Sequence, residues 1–235
     1  MTMSLQEETD ISGSARGVLL KLWQAKKERG SASIEGFYPV PLEEILQLLG
    51  WKLDVVADLG FTDLQPVHGE CDHDKGEIRI ASDVAANRGQ RNFTLAHEIG
   101  HAVLHPRKSC DGLPDERVLS RRSGQQVRRM SNSAPRRNVR EDEADAFARE
   151  LLMPRKAVKE NFKRIFGHES MPLWASKVKE IVGREKTEAG GPARLRAATR
   201  ALAKYSSGDG KPLNEVFGVS VEAMARRFEE LSLLY

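Results

Sequence analysis

His97-Glu98-Ile99-Gly100-His101 is the segment with the clearest capacity for chemistry. Two imidazoles four residues apart project from one face of a helix, one turn apart, and can grip a single ion between them. Zinc suits such a pair. It accepts nitrogen ligands at about 2.0–2.1 Å in a tetrahedral shell and keeps one position for water when only three protein ligands bind. A metal of this kind brings the pKa of water toward about 7. Glu98 follows the first histidine directly, which sets its carboxylate beside the ion, where it can take a proton from water and pass it to a leaving amine. The pattern predicts a zinc metallopeptidase with His97 and His101 as ligands and Glu98 as general base. Manganese, iron or cobalt fit the same donors. An ordinary surface helix explains poorly why Leu95, Ile99 and Val103 line one side while both histidines share the other.

A third ligand must come from elsewhere. His105 lies one further turn on, about 12 Å from His97 along a straight helix, too far to share an ion. It reads as a structural residue at the helix end. Leu104 and Arg107 break the longer pattern in which a glycine and a third histidine follow. The better candidate is Glu141, on a second helix with Asp145 one turn beyond it. Asp145 can then accept a hydrogen bond from a ligating imidazole and fix its tautomer. Glu143 is the rival ligand, pointing about 200° away from Glu141 on the helix.

The elements that position these groups read as an α+β arrangement. Residues 1–14 read as a frayed tail, and Ala15–Arg29 as a helix with Val18, Leu19, Leu22 and Trp23 on one face. The segment 41–50 has proline near its start, early acids and a terminal glycine, a short amphipathic helix. Trp51–Val56 and Gly76–Ala81 carry strand patterns. Helices follow over 91–105 and 138–153, each closed by a proline. The stretch 107–137, crowded with arginines such as Arg121, Arg122, Arg128, Arg129, Arg136 and Arg137, shows no sustained periodicity and reads as a long flexible insertion. Helical patterns then recur over 154–166, 172–182, 192–205 and 220–231, so the C-terminal third is expected to be all helical. The domain reading is a tail and helix over 1–34, a metallopeptidase domain over 35–165, and a helical region over 166–235.

The segments 93–105 and 141–154, with Val219–Phe228 and residues 40–58 as weaker echoes, resemble the ImmA/IrrE family of metallopeptidases. The resemblance implies a small β-sheet packed on a zincin-like helical core, with a C-terminal helical region likened to a helix-turn-helix. It implies His97, His101 and Glu141 as ligands and Glu98 as base. It also implies regulatory proteolysis, in which a helix-turn-helix repressor of the Xre type is cut and stress or mobile-element genes are released.

Two other readings stand beside this one. In the first, the metal only braces the fold and the protein sequesters its repressor without cutting it; a purely structural zinc normally has four protein ligands and no adjacent base. In the second, the arginine run and the C-terminal helices make a DNA-associated regulator, with direct nucleic-acid contact that weakens steeply with salt. The formal charge is only +3, with 40% hydrophobic and 30% charged residues. No apolar run nears the roughly 20 residues of a membrane span. The N-terminus is polar and acidic, unlike a signal peptide, so the expected location is cytoplasmic. Cys71 and Cys110 sit in polar, loop-like sequence and read as free thiols, with Cys110 near enough in sequence to His105 to be considered for the open metal position.

Overall fold

The computed structural model describes residues 5–30, 37–62, 65–106, 119–120, 139–183, 192–206, 208 and 210–235. It divides into two compact units. The first comprises the described residues of Met1–Ala32 and Pro41–Leu151, the second those of Ser33–Val40 and Leu152–Tyr235. No helix among the described residues is long and apolar enough to cross a membrane.

The first unit opens on α1 (Leu5–Glu28). This helix starts well inside the stretch expected to be a frayed tail. The reason is burial: Ile11 and Ala15 are 5% and 0% exposed and extend the stripe of Val18 and Leu22 by two turns. Ser12, Gly13, Ser14 and Gly17 are poor helix formers and hide that stripe in the sequence. The helix packs on α2 (Leu42–Leu49) and α4 (Arg88–Leu104). In α2 the apolar face Leu42, Ile45 and Leu46 is buried, and Gly50 ends the helix in the left-handed conformation at φ 75°.

A mixed sheet follows, with strand order β1-β5-β4-β6. Strand β1 (Lys52–Val56) runs parallel to β5 (Glu77–Ala81), which pairs antiparallel with β4 (Gly69–Asp72). Gly69 and Glu70 of β4 pair in turn with β6 (Leu119–Ser120). A separate hairpin of two-residue strands, β2 (Phe61–Thr62) and β3 (Gln65–Pro66), lies between β1 and β4 in the chain. In β5, Ile78 and Ile80 are fully buried, the alternation of a strand covered on one face. The one-turn helix α3 (Ser82–Ala85) leads from β5 into α4. Helix α4 packs across β4 and β5, and Asn87 caps it by accepting a hydrogen bond from the Gln90 amide at 3.1 Å. Helix α5 (Val139–Leu152) completes this unit, its Ala144, Phe147, Ala148 and Leu151 all buried.

The second unit contains α6 (Arg155–Phe166), α7 (Ser176–Val182), α8 (Pro192–Lys204), α9 (Leu213–Val216) and α10 (Val221–Glu230). It is helical as expected, apart from an isolated parallel bridge between Met171 and Leu234. Its core gathers Val158, Phe162, Leu202, Phe217 and Phe228, with the rings of Phe162 and Phe228 5.4 Å apart. Arg227 is buried here at 4% exposure. Its Nε donates to the Met153 carbonyl at 3.0 Å and its Nη1 to Glu230 at 3.0 Å. Met153 follows directly on α5, where Pro154 cannot continue the helix, so the guanidinium satisfies a carbonyl that lacks a helical partner. Arg227→Met is expected to cost about 1.5–3 kcal/mol, the value of a lost charged hydrogen bond to a buried group. A urea melt of the variant indistinguishable from the parent would refute that role.

The Arg-rich stretch 107–137 and Cys110 lie outside the described residues, except for Leu119–Ser120.

Candidate metal centre

Helix α4 carries the histidines because its length brings His97, His101 and His105 into one row while Leu95, Ala96 and Ile99 are buried. His97 and His101 are themselves 3% and 0% exposed. Their Nε2 atoms face each other at 3.0 Å. Glu141, in the first turn of α5, reaches both: one carboxylate oxygen lies 3.4 Å from His97 Nε2 and the other 3.5 Å from His101 Nε2. Two donors bound to one zinc at about 2.0–2.1 Å and near-tetrahedral angles stand about 3.3–3.4 Å apart. The observed separations, 3.0 Å between the imidazoles and 3.4 and 3.5 Å to the two carboxylate oxygens, lie near that edge length. His97, His101 and Glu141 are the one group of potential ligands found to converge among the described residues, with ligand atoms within 4.8 Å of one another. The donor set of two imidazoles and a carboxylate fits a divalent ion.

Charge supports the same conclusion. Glu98 and Asp145 join Glu141 around the two rings, so the pocket is rich in negative charge. Burial pushes the His97 pKa down, but hydrogen bonds to Asp145 and Glu141 and the charge of Glu98 outweigh it and raise it. Burial, and then the neighbouring His97, drive the His101 pKa down.

Glu98 is 0% exposed. Strand β4 passes close over it at Gly69, where an added Cβ would lie 2.6 Å from Glu98 Oε1 and 2.8 Å from Thr94 Cγ2. Only glycine permits that approach. Gly100, between the histidines, does the same for α5: a Cβ there would sit 3.2 Å from the Ala144 Cα and carbonyl oxygen and from the Phe147 ring. The absent side chain lets α5 lie against α4, and that contact delivers Glu141. An isolated glycine inside a helical pattern was the available signal for this role. Nothing in the sequence marks Gly69.

Asp145 Oδ1 stands 2.8 Å from His97 Nδ1, one turn beyond Glu141. The other two residues weighed in the sequence make contacts of their own. Glu143 is not among the convergent donors; its carboxylate meets His105 Nε2 at 2.7 Å. His105, read as a structural helix end, also lies 3.1 Å from His101 through their Nδ1 atoms. Cys71 is not in a loop. It lies in β4 at 5% exposure, a free thiol whose pKa is pushed well up by burial and then by the charges of Glu98, Asp72 and Glu70.

The profile described as the IrrE N-terminal-like domain, peptidase family M78, matches residues 60–177, half of the chain and the whole of this site. The chain belongs to that family. No curated protein gives a significant match. Family M78 membership makes the protein a peptidase by descent and accords with a divalent metal in the pocket. The matched region spans α4 and α5, the two helices that build the donor cluster, and β4, which covers Glu98.

Proposed function

We propose that this member of family M78 is a zinc-dependent endopeptidase that cuts a helix-turn-helix repressor of the Xre type and so releases stress or mobile-element genes. The observation that carries the reading is the convergence of His97, His101 and Glu141 with the fully buried Glu98 carboxylate beside them. The chemistry that zinc, or another divalent ion, would supply when bound is Lewis-acid polarisation of the scissile carbonyl and acidification of water. The residues supply the rest. His97, His101 and Glu141 hold the ion, and Asp145 keeps the His97 proton on Nδ1 so that Nε2 faces inward. Glu98 accepts a proton from the attacking water and delivers it to the amine as the peptide C–N bond breaks. Burial of Glu98 between Gly69, Thr94 and the histidines fixes where that proton is taken up.

The zincin likeness is part of this proposal: a sheet with its β4 strand lying over the helix that carries both histidines and the base supports it. The direct test is incubation of the full chain and zinc with the helix-turn-helix protein encoded nearest to it, followed by mass spectrometry. Discrete fragments with a single new N-terminus are expected; an intact partner that nevertheless loses its DNA binding would point to sequestration instead.

Gly69 gives a second test. Gly69→Ala puts a methyl group 2.6 Å from Glu98 Oε1, inside van der Waals contact, and the buried carboxylate has to move. A misplacement near 1 Å costs about 100-fold in rate. We expect that loss in kcat with zinc binding preserved. Equal activity in the alanine variant would mean that the position of Glu98 is not limiting.

A further inference from the structure

His105 occupies the C-terminal cap of α4, its side chain 8% exposed. It does not join the converging donors, yet both of its ring nitrogens are engaged, Nδ1 with His101 Nδ1 at 3.1 Å and Nε2 with Glu143 Oε2 at 2.7 Å. The direction of each hydrogen bond follows from chemistry. His101 Nε2 faces His97 and Glu141, so as a ligand atom it must keep its lone pair, and the ring proton belongs on Nδ1. His101 Nδ1–H therefore donates to His105 Nδ1. His105 then carries its own proton on Nε2, and that N–H donates to the Glu143 carboxylate. Both bonds are satisfied in this arrangement.

The other imidazole is held more directly, by Asp145 on His97 Nδ1 at 2.8 Å. Ligating histidines need such an outer partner to fix tautomer and ring orientation. Among the described residues, His101 Nδ1 meets His105 rather than a carboxylate and reaches one through it. We propose that Glu143 and His105 form a carboxylate–imidazole relay that orients His101 for metal binding, the indirect counterpart of Asp145 on His97. The proposal rests on the reading of His97, His101 and Glu141 as ligands. It makes α5 the source of one direct donor, Glu141, and of two positioning carboxylates, Glu143 and Asp145, spaced two residues apart along its first turns. The alternative is a plain tie that fastens the end of α4 to α5 and has no bearing on the metal.

The two differ in what they change. The zinc Kd of the full chain, measured by competition with a chromophoric chelator, is to be compared across His105→Leu, His105→Gln, Glu143→Ala and Asp145→Asn, alongside the melting temperature of each metal-free protein. For the relay, His105→Leu and Glu143→Ala each weaken zinc binding by roughly 10–100-fold. The double variant is no weaker than His105→Leu alone, because both act through one path, whereas adding Asp145→Asn to either multiplies the losses. His105→Gln, whose amide can accept from His101 and donate to Glu143, stays within a few-fold of the parent. A zinc Kd unchanged in His105→Leu overturns the relay, and a lowered metal-free melting temperature in the same variant would identify the plain tie. Undiminished zinc binding in His101→Ala would instead remove the ligand assignment beneath the proposal.

Discussion

Glu98→Gln is expected to lower peptide cleavage by at least 10²–10⁴-fold, roughly the contribution of a positioned general base, in a protein that still folds and still binds its ion. Glutamine has the size of glutamate, so the contacts of this fully buried side chain with Thr94 and with the backbone at Gly69 are kept. What is lost is the group that accepts and returns the proton. The amide is also easier to bury than a carboxylate, so stability should hold or rise. Fragment yield by mass spectrometry, read beside circular dichroism and zinc content, checks all three statements. Undiminished cleavage by the folded, zinc-loaded variant would end the assignment of Glu98 as base. Partner release without fragments, equal in parent and variant, would favour a module that works by sequestration.

Loss of the ion is expected to have an effect of similar size. Treatment with a strong chelator, or His101→Ala, should abolish cleavage, and returning zinc should restore it only to the chelated parent. His101 is one of three donors, so its removal should weaken binding by more than the 10–100-fold typical of outer partners. Binding also stabilises the native state: at free zinc 1,000 times Kd the gain is about 4 kcal/mol, visible as a concentration-dependent rise in melting temperature. The chelated protein should remain folded, because Leu95, Ile99 and Phe147 pack regardless of the metal. Full activity after exhaustive chelation would separate the chemistry from any cation.

Much of this site could be read from the sequence because its geometry is local. His97, Glu98 and His101 are fixed relative to one another by a single helix, and Glu141 and Asp145 by another. The helices of the C-terminal third and the strands β1 and β5 were legible for the same reason, as hydrophobic periodicity within one segment. What escaped depends on neighbours distant in the chain. Strand β4, Gly69-Glu70-Cys71-Asp72, has no alternating pattern of its own and exists because β5 pairs with it. Its polar sequence also made Cys71 look like a loop residue. Gly69 matters only because α4 lies beneath it. The early part of α1 was obscured by glycines and serines that tertiary burial of Ile11 and Ala15 overrides. Glu143 sits on the helix well away from Glu141, and the sequence alone could not show that His105 would wait where Glu143 points.

The central claim is that three side chains hold one divalent cation and leave a position for water. Zinc-edge X-ray absorption on the stoichiometrically loaded full chain tests it most directly. One zinc per chain is expected, with two imidazole nitrogens and otherwise light oxygen donors near 2.0–2.2 Å, of which one is exchangeable solvent. A sulfur scatterer near 2.3 Å, or a shell closed by a fourth protein ligand, would contradict it, since a closed shell has no room for the water that Glu98 is placed to deprotonate.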